Sequence, residues 1–217
     1  MRVGRAAITG LLCGAGALTV ALRFIVPATA AGPVRSRSIS HAPSTALGGR
    51  IFLSRDQQSQ ALASGTVDRP VKSLLAVRQP LRFGDYAWSD KAVPPGSTWV
   101  RVDLGSQLIS VFRGAHEIGT AVIVYGGDNK ETPSGTFHIL AKDRDHRSSL
   151  YDAAMPYSLQ LTSDGVSLHG SVVRSGAATH GCIGLPMDFA RKLFDSAKVG
   201  DEVVIVAPGP KGQHSIS

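Results

Sequence analysis

From Thr98 onward the sequence alternates in the manner of paired strands. Trp99-Val100-Arg101-Val102-Asp103 is followed by the turn residues Leu104-Gly105-Ser106-Gln107, and Leu108-Ile109-Ser110-Val111-Phe112 resumes the pattern. Side chains of a strand point alternately to its two faces, so two such runs about a Gly-containing turn predict a hairpin. Glu117 to Tyr125 is a further β-branched run, ending at Gly126-Gly127-Asp128-Asn129. Thr132-Pro133-Ser134-Gly135 is a turn feeding Thr136-Phe137-His138-Ile139-Leu140. A second hairpin is predicted where Tyr157 to Leu161 and Val166 to Leu168 flank Ser163-Asp164-Gly165, which puts His169 at a strand end. Pro186 is suited to opening a helix, with Met187, Ala190, Leu193 and Phe194 on one face. Glu202 to Ala207 closes the pattern as a last strand. Many strands with one late helix imply a mainly β domain over residues 98–207.

Upstream the signals differ. Met1-Arg2-Val3-Gly4-Arg5 is basic, Ala6 to Leu22 is apolar, and Ala28-Thr29-Ala30 is a small-x-small site. Residues 1–30 therefore read as an export signal, with membrane contact only if the segment stays uncleaved as an anchor. The expected location is the periplasm or cell envelope. Residues 31–50 read as a flexible linker, 51–97 as a short accessory segment with a helix-compatible stretch at Ser54 to Leu62, and 208–217 as a flexible tail. Lys142 to Ala153 is charged and irregular, long enough for a mobile loop beside a site. With 43% hydrophobic residues the chain has room for one good core. A net charge of +7 suits an anionic surface or polymer, but no basic helix or aromatic-basic motif accompanies it, so nucleic acid is not an expected partner.

The chemistry concentrates between Ser167 and Pro186. Cys13 falls inside the apolar leader, so Cys182 is alone in the exported chain, where a single thiol has no intrachain disulfide to make. Two histidines lie near it, His180 two positions before and His169 thirteen before. A thiol beside an imidazole is the minimum for nucleophilic acyl transfer: the ring takes the proton, the sulfur attacks a carbonyl, and an acyl-enzyme follows. An extended backbone would place His180 on the face of Cys182, whereas His169 needs the intervening loop to fold back. These residues leave both open as the base. Gly181 permits close backbone approach, and the amides around Gly181 and Cys182 are candidate oxyanion donors. A zinc site of His169, His180 and Cys182 is a rival, though this spacing is not a usual zinc pattern and no fourth ligand stands out. A papain-like site is a poorer one, because there the cysteine precedes the histidine.

His169-Gly170, a loop, and Thr179-His180-Gly181-Cys182-Ile183 together resemble the signature of the L,D-transpeptidase catalytic domain, the YkuD-like family. The hairpin, Thr132-Pro133-Ser134-Gly135-Thr136-Phe137 and Met155-Pro156-Tyr157 extend the resemblance over about Thr98 to Val206. It implies a β-sandwich-like domain acting on peptidoglycan, with Cys182 as nucleophile and His169 as general base, and needing no cofactor or metal. The Gly170 carbonyl would orient the His169 ring, while Thr179, His180 and Gly181 would shape the thiolate pocket. Attack on a tetrapeptide stem would release D-alanine and pass the acyl group to an amine, and carbapenem-type inhibitors are expected to acylate the thiol. Transfer to water would give an L,D-carboxypeptidase, and loss of the chemistry a wall-binding envelope protein. Where many relatives carry Arg or Asn, two residues after the cysteine, this chain has Gly184. Arg174, Arg144 and Arg147 are candidate substitutes, and Tyr157 and Arg174 are candidate substrate contacts.

Overall fold

The computed structural model describes residues 46–47, 49–127, 130–148 and 152–208, all within one compact unit, His41–Ser217. The segment read as an export signal, most of that read as a linker and nearly all of that read as a tail lie outside the described residues. Among the described residues no helix is long and apolar enough to cross a membrane.

The chain begins with β1 (Ala46–Leu47), β2 (Arg50–Phe52), α1 (Arg55–Ala63), β3 (Ser73–Leu75) and β4 (Tyr86–Trp88). The expected hairpin follows as β5 (Thr98–Asp103) and β6 (Leu108–Arg113), with Val100 opposite Val111 and Val102 opposite Ile109. Its turn closes with Gln107 at φ 55° and the Asp103 carboxylate accepting the Ser106 N–H at 2.9 Å. Then come β7 (His116–Val122), β8 (Gly135–His138), β9 (Ala141–Asp143), β10 (Ser158–Gln160), β11 (Ser167–Ser171), β12 (Ile183–Pro186), α2 (Met187–Ser196) and β13 (Glu202–Val206).

These strands form two sheets. The larger runs β1-β2-β3-β7-β6-β5-β13-β8, with β4 also paired to β7, and the smaller runs β12-β11-β10-β9. One core joins them: Val100, Val102, Ile109 and Val111 of the larger sheet, Leu159, Leu168, Ile183 and Leu185 of the smaller, and Phe189, Ala190 and Leu193 of α2. Each fully buried Leu, Ile or Phe here contributes about 1.5–3 kcal/mol. The mainly β architecture with a late helix is thus as the patterning predicts. The helix face differs, however. Phe189 is buried, whereas Met187 is exposed and Phe194 is only partly buried, packing its ring edge against Tyr157.

The segment read as accessory supplies β2, β3 and β4 to the larger sheet. A buried polar clamp holds it there. The Glu117 carboxylate on β7 accepts the Leu75 N–H at 2.8 Å and the Ser110 hydroxyl at 2.7 Å. The Arg50 guanidinium donates to the Glu117 carbonyl at 2.5 Å and to the Ser89 carbonyl. Burial pushes the Glu117 carboxyl up and the Arg50 guanidinium down, although each lies in the other's favourable field. Three-residue strands are too short to display alternation, so β2 and β3 were hidden in the sequence.

Candidate active site

β11 and β12 run parallel, Leu168 opposite Ile183 and His169 opposite Gly184. Leu168, Ile183 and Leu185 face the core. By alternation Ser167, His169 and Ser171 face the other way, and all three line a cleft of about 460 Å³. Cys182 extends β12 by one residue toward its N-terminus, level with Ser167, and it lines the same cleft. Parallel pairing requires the chain to return to its starting edge. Residues 172–182 make that return and bring the cysteine back beside the histidine strand.

The His169 ring is buried, and its Nδ1 lies 2.9 Å from the Gly170 carbonyl. A carbonyl only accepts, so Nδ1 carries the proton and the neutral ring keeps its basic lone pair on Nε2. Burial, and then the neighbouring His146, holds this imidazole below its ordinary value, against the Gly170 bond that favours the charged ring. Cys182 is half-buried, and its Sγ lies 3.5 Å from the Gly165 carbonyl. Burial pushes its thiol up, while the Ser167 backbone N–H and Lys130 favour the thiolate and Asp164 opposes it. Between those two pKa values the resting pair is a neutral thiol and a neutral imidazole.

The loop bearing the cysteine is strapped to the segment after β7. Thr179 donates its N–H to the Tyr125 carbonyl at 3.0 Å, and Gly184 and Val124 exchange bonds at 2.8 and 3.1 Å. Gly181 turns at φ 94°, a left-handed conformation that favours glycine. The buried Thr132 hydroxyl accepts the Gly126 N–H at 2.9 Å and donates to the Gly181 carbonyl at 3.0 Å. The Thr179 hydroxyl donates to the Cys182 carbonyl.

Of the residues singled out in the sequence, Cys182, His169, His180 and Thr179 line one cleft. Gly170 supplies the carbonyl beneath the ring. Gly181 approaches protein rather than open cleft: a Cβ there would lie 3.3 Å from the Lys130 side chain. Among the described residues no three His, Cys, Asp or Glu side chains converge in a metal-holding group, so the zinc rival gains no support. Tyr157 and Arg174 do not line the cleft. Tyr157 packs on Phe194 under the Arg144 guanidinium, and Arg174 is exposed in the return loop. Arg144 pairs with Asp195, and Arg147 with Asp152.

Gly184 faces the cleft side by alternation, but a Cβ there would meet Val124 Cγ2 at 2.7 Å and Ser171 Cβ at 2.9 Å. That position is a strand contact in this chain, with no room for an arginine. Among the described residues lining the cleft, Lys130 is the one Lys or Arg side chain. Asp143, His146 and Ala153 of the charged loop also line it. Lys130 and His146 carried no local pattern to mark them. Thr132 did, because its Thr-Pro-Ser-Gly turn was visible.

The L,D-transpeptidase catalytic domain model, YkuD, matches residues 97–205. L,D-transpeptidase 1 of Mycobacterium tuberculosis is 31% identical over 120 residues, covering 48% of either protein, so the chain spans about half the length of this curated relative. Solved structures of similar fold include an L,D-transpeptidase from Stackebrandtia nassauensis (24% identity, TM-score 0.49, 56% of this chain and 62% of that one). Mycobacterium tuberculosis L,D-transpeptidase 1 is another (25% identity, TM-score 0.46, 51% and 62%). The matched span takes in both sheets' central strands, the strapped cysteine loop and the buried histidine, and by it the chain belongs to the YkuD L,D-transpeptidase catalytic domain family.

Proposed function

We propose that this protein is a cysteine-dependent L,D-transpeptidase that remodels peptidoglycan outside the cytoplasm. The observation that carries the reading is the pairing of Cys182 with an imidazole whose Nδ1 is committed to a carbonyl, both opening from adjacent parallel strands into one cleft. Nε2 of His169 takes the thiol proton as the sulfur attacks the carbonyl carbon of the bond between the third stem residue and D-alanine. Collapse of the tetrahedral intermediate breaks the C–N bond, and the imidazolium gives its proton to the departing D-alanine amine. The resulting thioester is attacked by an acceptor amine, whose proton returns through His169 to the leaving sulfur. Exchange of one amide for another needs no further energy source.

The departing residue carries a carboxylate. With Gly184 closed off, the Lys130 ammonium is the cation that meets it, as a point charge near Cys182. The expected ligands are peptidoglycan stem peptides, and a carbapenem should acylate Cys182.

The test is mass spectrometry of tetrapeptide muropeptides incubated with the protein and with Cys182→Ala. A dimer lacking one D-alanine, absent with the variant, is the expected result. Tripeptide without dimer would assign an L,D-carboxypeptidase. No product, together with no mass increase on carbapenem treatment, would overturn the enzyme reading in favour of a wall-binding protein.

A further inference from the structure

The residues that touch the cysteine loop from behind have no part in the steps above, and one of them is built with unusual care. Thr132 is buried, and its hydroxyl uses both of its functions, accepting from the Gly126 N–H at 2.9 Å and donating to the Gly181 carbonyl at 3.0 Å. A Cβ on Gly126 would lie 2.9 Å from Gly181 Cα, so the two backbones touch, and Thr132 bonds to both.

The Gly181 carbonyl belongs to the peptide whose nitrogen is that of Cys182. No peptide bond among the described residues is cis, so this carbonyl and the Cys182 N–H point in opposite directions. Thr132 lines a second hollow, on the Gly126–Gly127 side, and does not line the cleft; Cys182 lines the cleft and not that hollow. Holding the carbonyl toward Thr132 therefore turns the Cys182 N–H toward the cleft side. The next peptide plane is held as well, through the Thr179 hydroxyl on the Cys182 carbonyl.

We propose that Thr132 is a positioning residue for the reaction: it fixes the plane of the Gly181–Cys182 peptide and so aims the Cys182 N–H at the oxyanion of the tetrahedral intermediate. This rests on the transpeptidase reading. An oxyanion donor helps only if it is oriented before charge develops, since turning it during the reaction would cost what it contributes. Glycine at 181 has the widest backbone freedom of any residue, so that peptide needs an external hold. The Thr132 hydroxyl supplies it without touching substrate.

The test compares wild type, Thr132→Val and Thr132→Ser in the full chain. Valine keeps the shape and removes both bonds; serine keeps the hydroxyl. Two rates are read for each: acylation by tetrapeptide or carbapenem, which passes through an oxyanion, and alkylation of Cys182 by iodoacetamide, which does not. Thr132→Val should lose on the order of 10²-fold in kcat for acylation, the usual cost of one oxyanion donor, with KM little changed. Its alkylation rate should stay at the wild-type level, and Thr132→Ser should recover the acylation rate to within a few-fold. Thermal melts establish that each variant is folded; if the valine variant is not, Thr132→Ala, with space for water, takes its place in the comparison. Acylation by the valine variant at the wild-type rate would overturn the proposal. So would a parallel loss of alkylation, which would place the effect on the thiol, or failure of serine to rescue. A wild type that alkylates but never acylates would instead overturn the transpeptidase reading, and the proposal with it.

Discussion

Replacing Gly184 with alanine should destabilise the protein, and the reason lies in two distances. The new methyl would sit 2.7 Å from Val124 Cγ2 and 2.9 Å from Ser171 Cβ. Carbon atoms pack at about 3.5–4.0 Å, so each contact falls short by roughly 1 Å. The valine methyl belongs to a side chain whose residue is 1% exposed, and the serine carbon cannot move without β11. Overpacking of this kind costs about 1–3 kcal/mol, or a fall of about 2–12 °C in Tm for a chain of this size. Gly184 is not among the positive-φ glycines, so its backbone accepts alanine. Without the crowding, Gly→Ala would stabilise by about 0.4–1 kcal/mol through the unfolded state. The sign of the change therefore decides. Thermal denaturation followed by circular dichroism would measure it, with Val124→Ala and the double variant completing the cycle. Removing the valine methyls should relieve part of the crowding, so the double variant should lose less than the two single losses added together. A Gly184→Ala protein melting at or above wild type would refute the packing argument. It would also reopen this position to a side chain that reaches the cleft.

Other expectations follow from the same geometry. Because burial raises the Cys182 thiol and lowers the His169 imidazole, the neutral pair prevails between them. Alkylation of Cys182 should climb only above the roughly 8.5 of a free thiol; a plateau already reached near pH 6 would show a thiolate–imidazolium pair instead. Lys130→Ala should raise KM for a tetrapeptide about tenfold or more while leaving kcat within a few-fold, as loss of a charged partner would. An unchanged KM in steady-state kinetics would exclude it as the carboxylate contact. Arg50→Met should cost about 2–5 kcal/mol by stranding the Glu117 and Ser89 carbonyls and removing the favourable field at the buried Glu117 carboxyl, which keeps its Leu75 and Ser110 bonds. Limited proteolysis should then cut faster between β3 and β4, and an unchanged cleavage rate with an unchanged melt would count against the clamp.

The hairpin of β5 and β6 was legible because six-residue strands repeat their alternation often enough to be seen. β2 and β3 were not, since three residues carry no period, and what fastens them is a buried Arg50–Glu117 clamp that composition cannot reveal. In the site, the proximity of Cys and His in sequence pointed to the cleft, and the structure supplies what spacing could not: the parallel pairing that gathers them. Tyr157 and Arg174 have side chains suited to a substrate, but neither lines the cleft. One is occupied by Phe194 and Arg144, and the other lies on the return loop away from the cleft lining. Lys130 reaches the cleft from a turn more than fifty residues before the cysteine, a relation that only the fold creates.

The return from β11 to β12 has a consequence for how such a site varies. A crossover between parallel strands usually takes a dozen or more residues, and residues 172–182 are near that lower bound. The span therefore has little length to lose. Shortening it would drag the nucleophile off its register with the histidine strand, whereas lengthening it would leave both strand ends where they are. At the turn within it, Gly176 at φ 73° has nothing within 4 Å of where a Cβ would stand. Length can thus be added at that turn, which does not line the cleft, while the two reacting side chains keep their spacing. In this fold the length of the return and the geometry of the chemistry can vary separately.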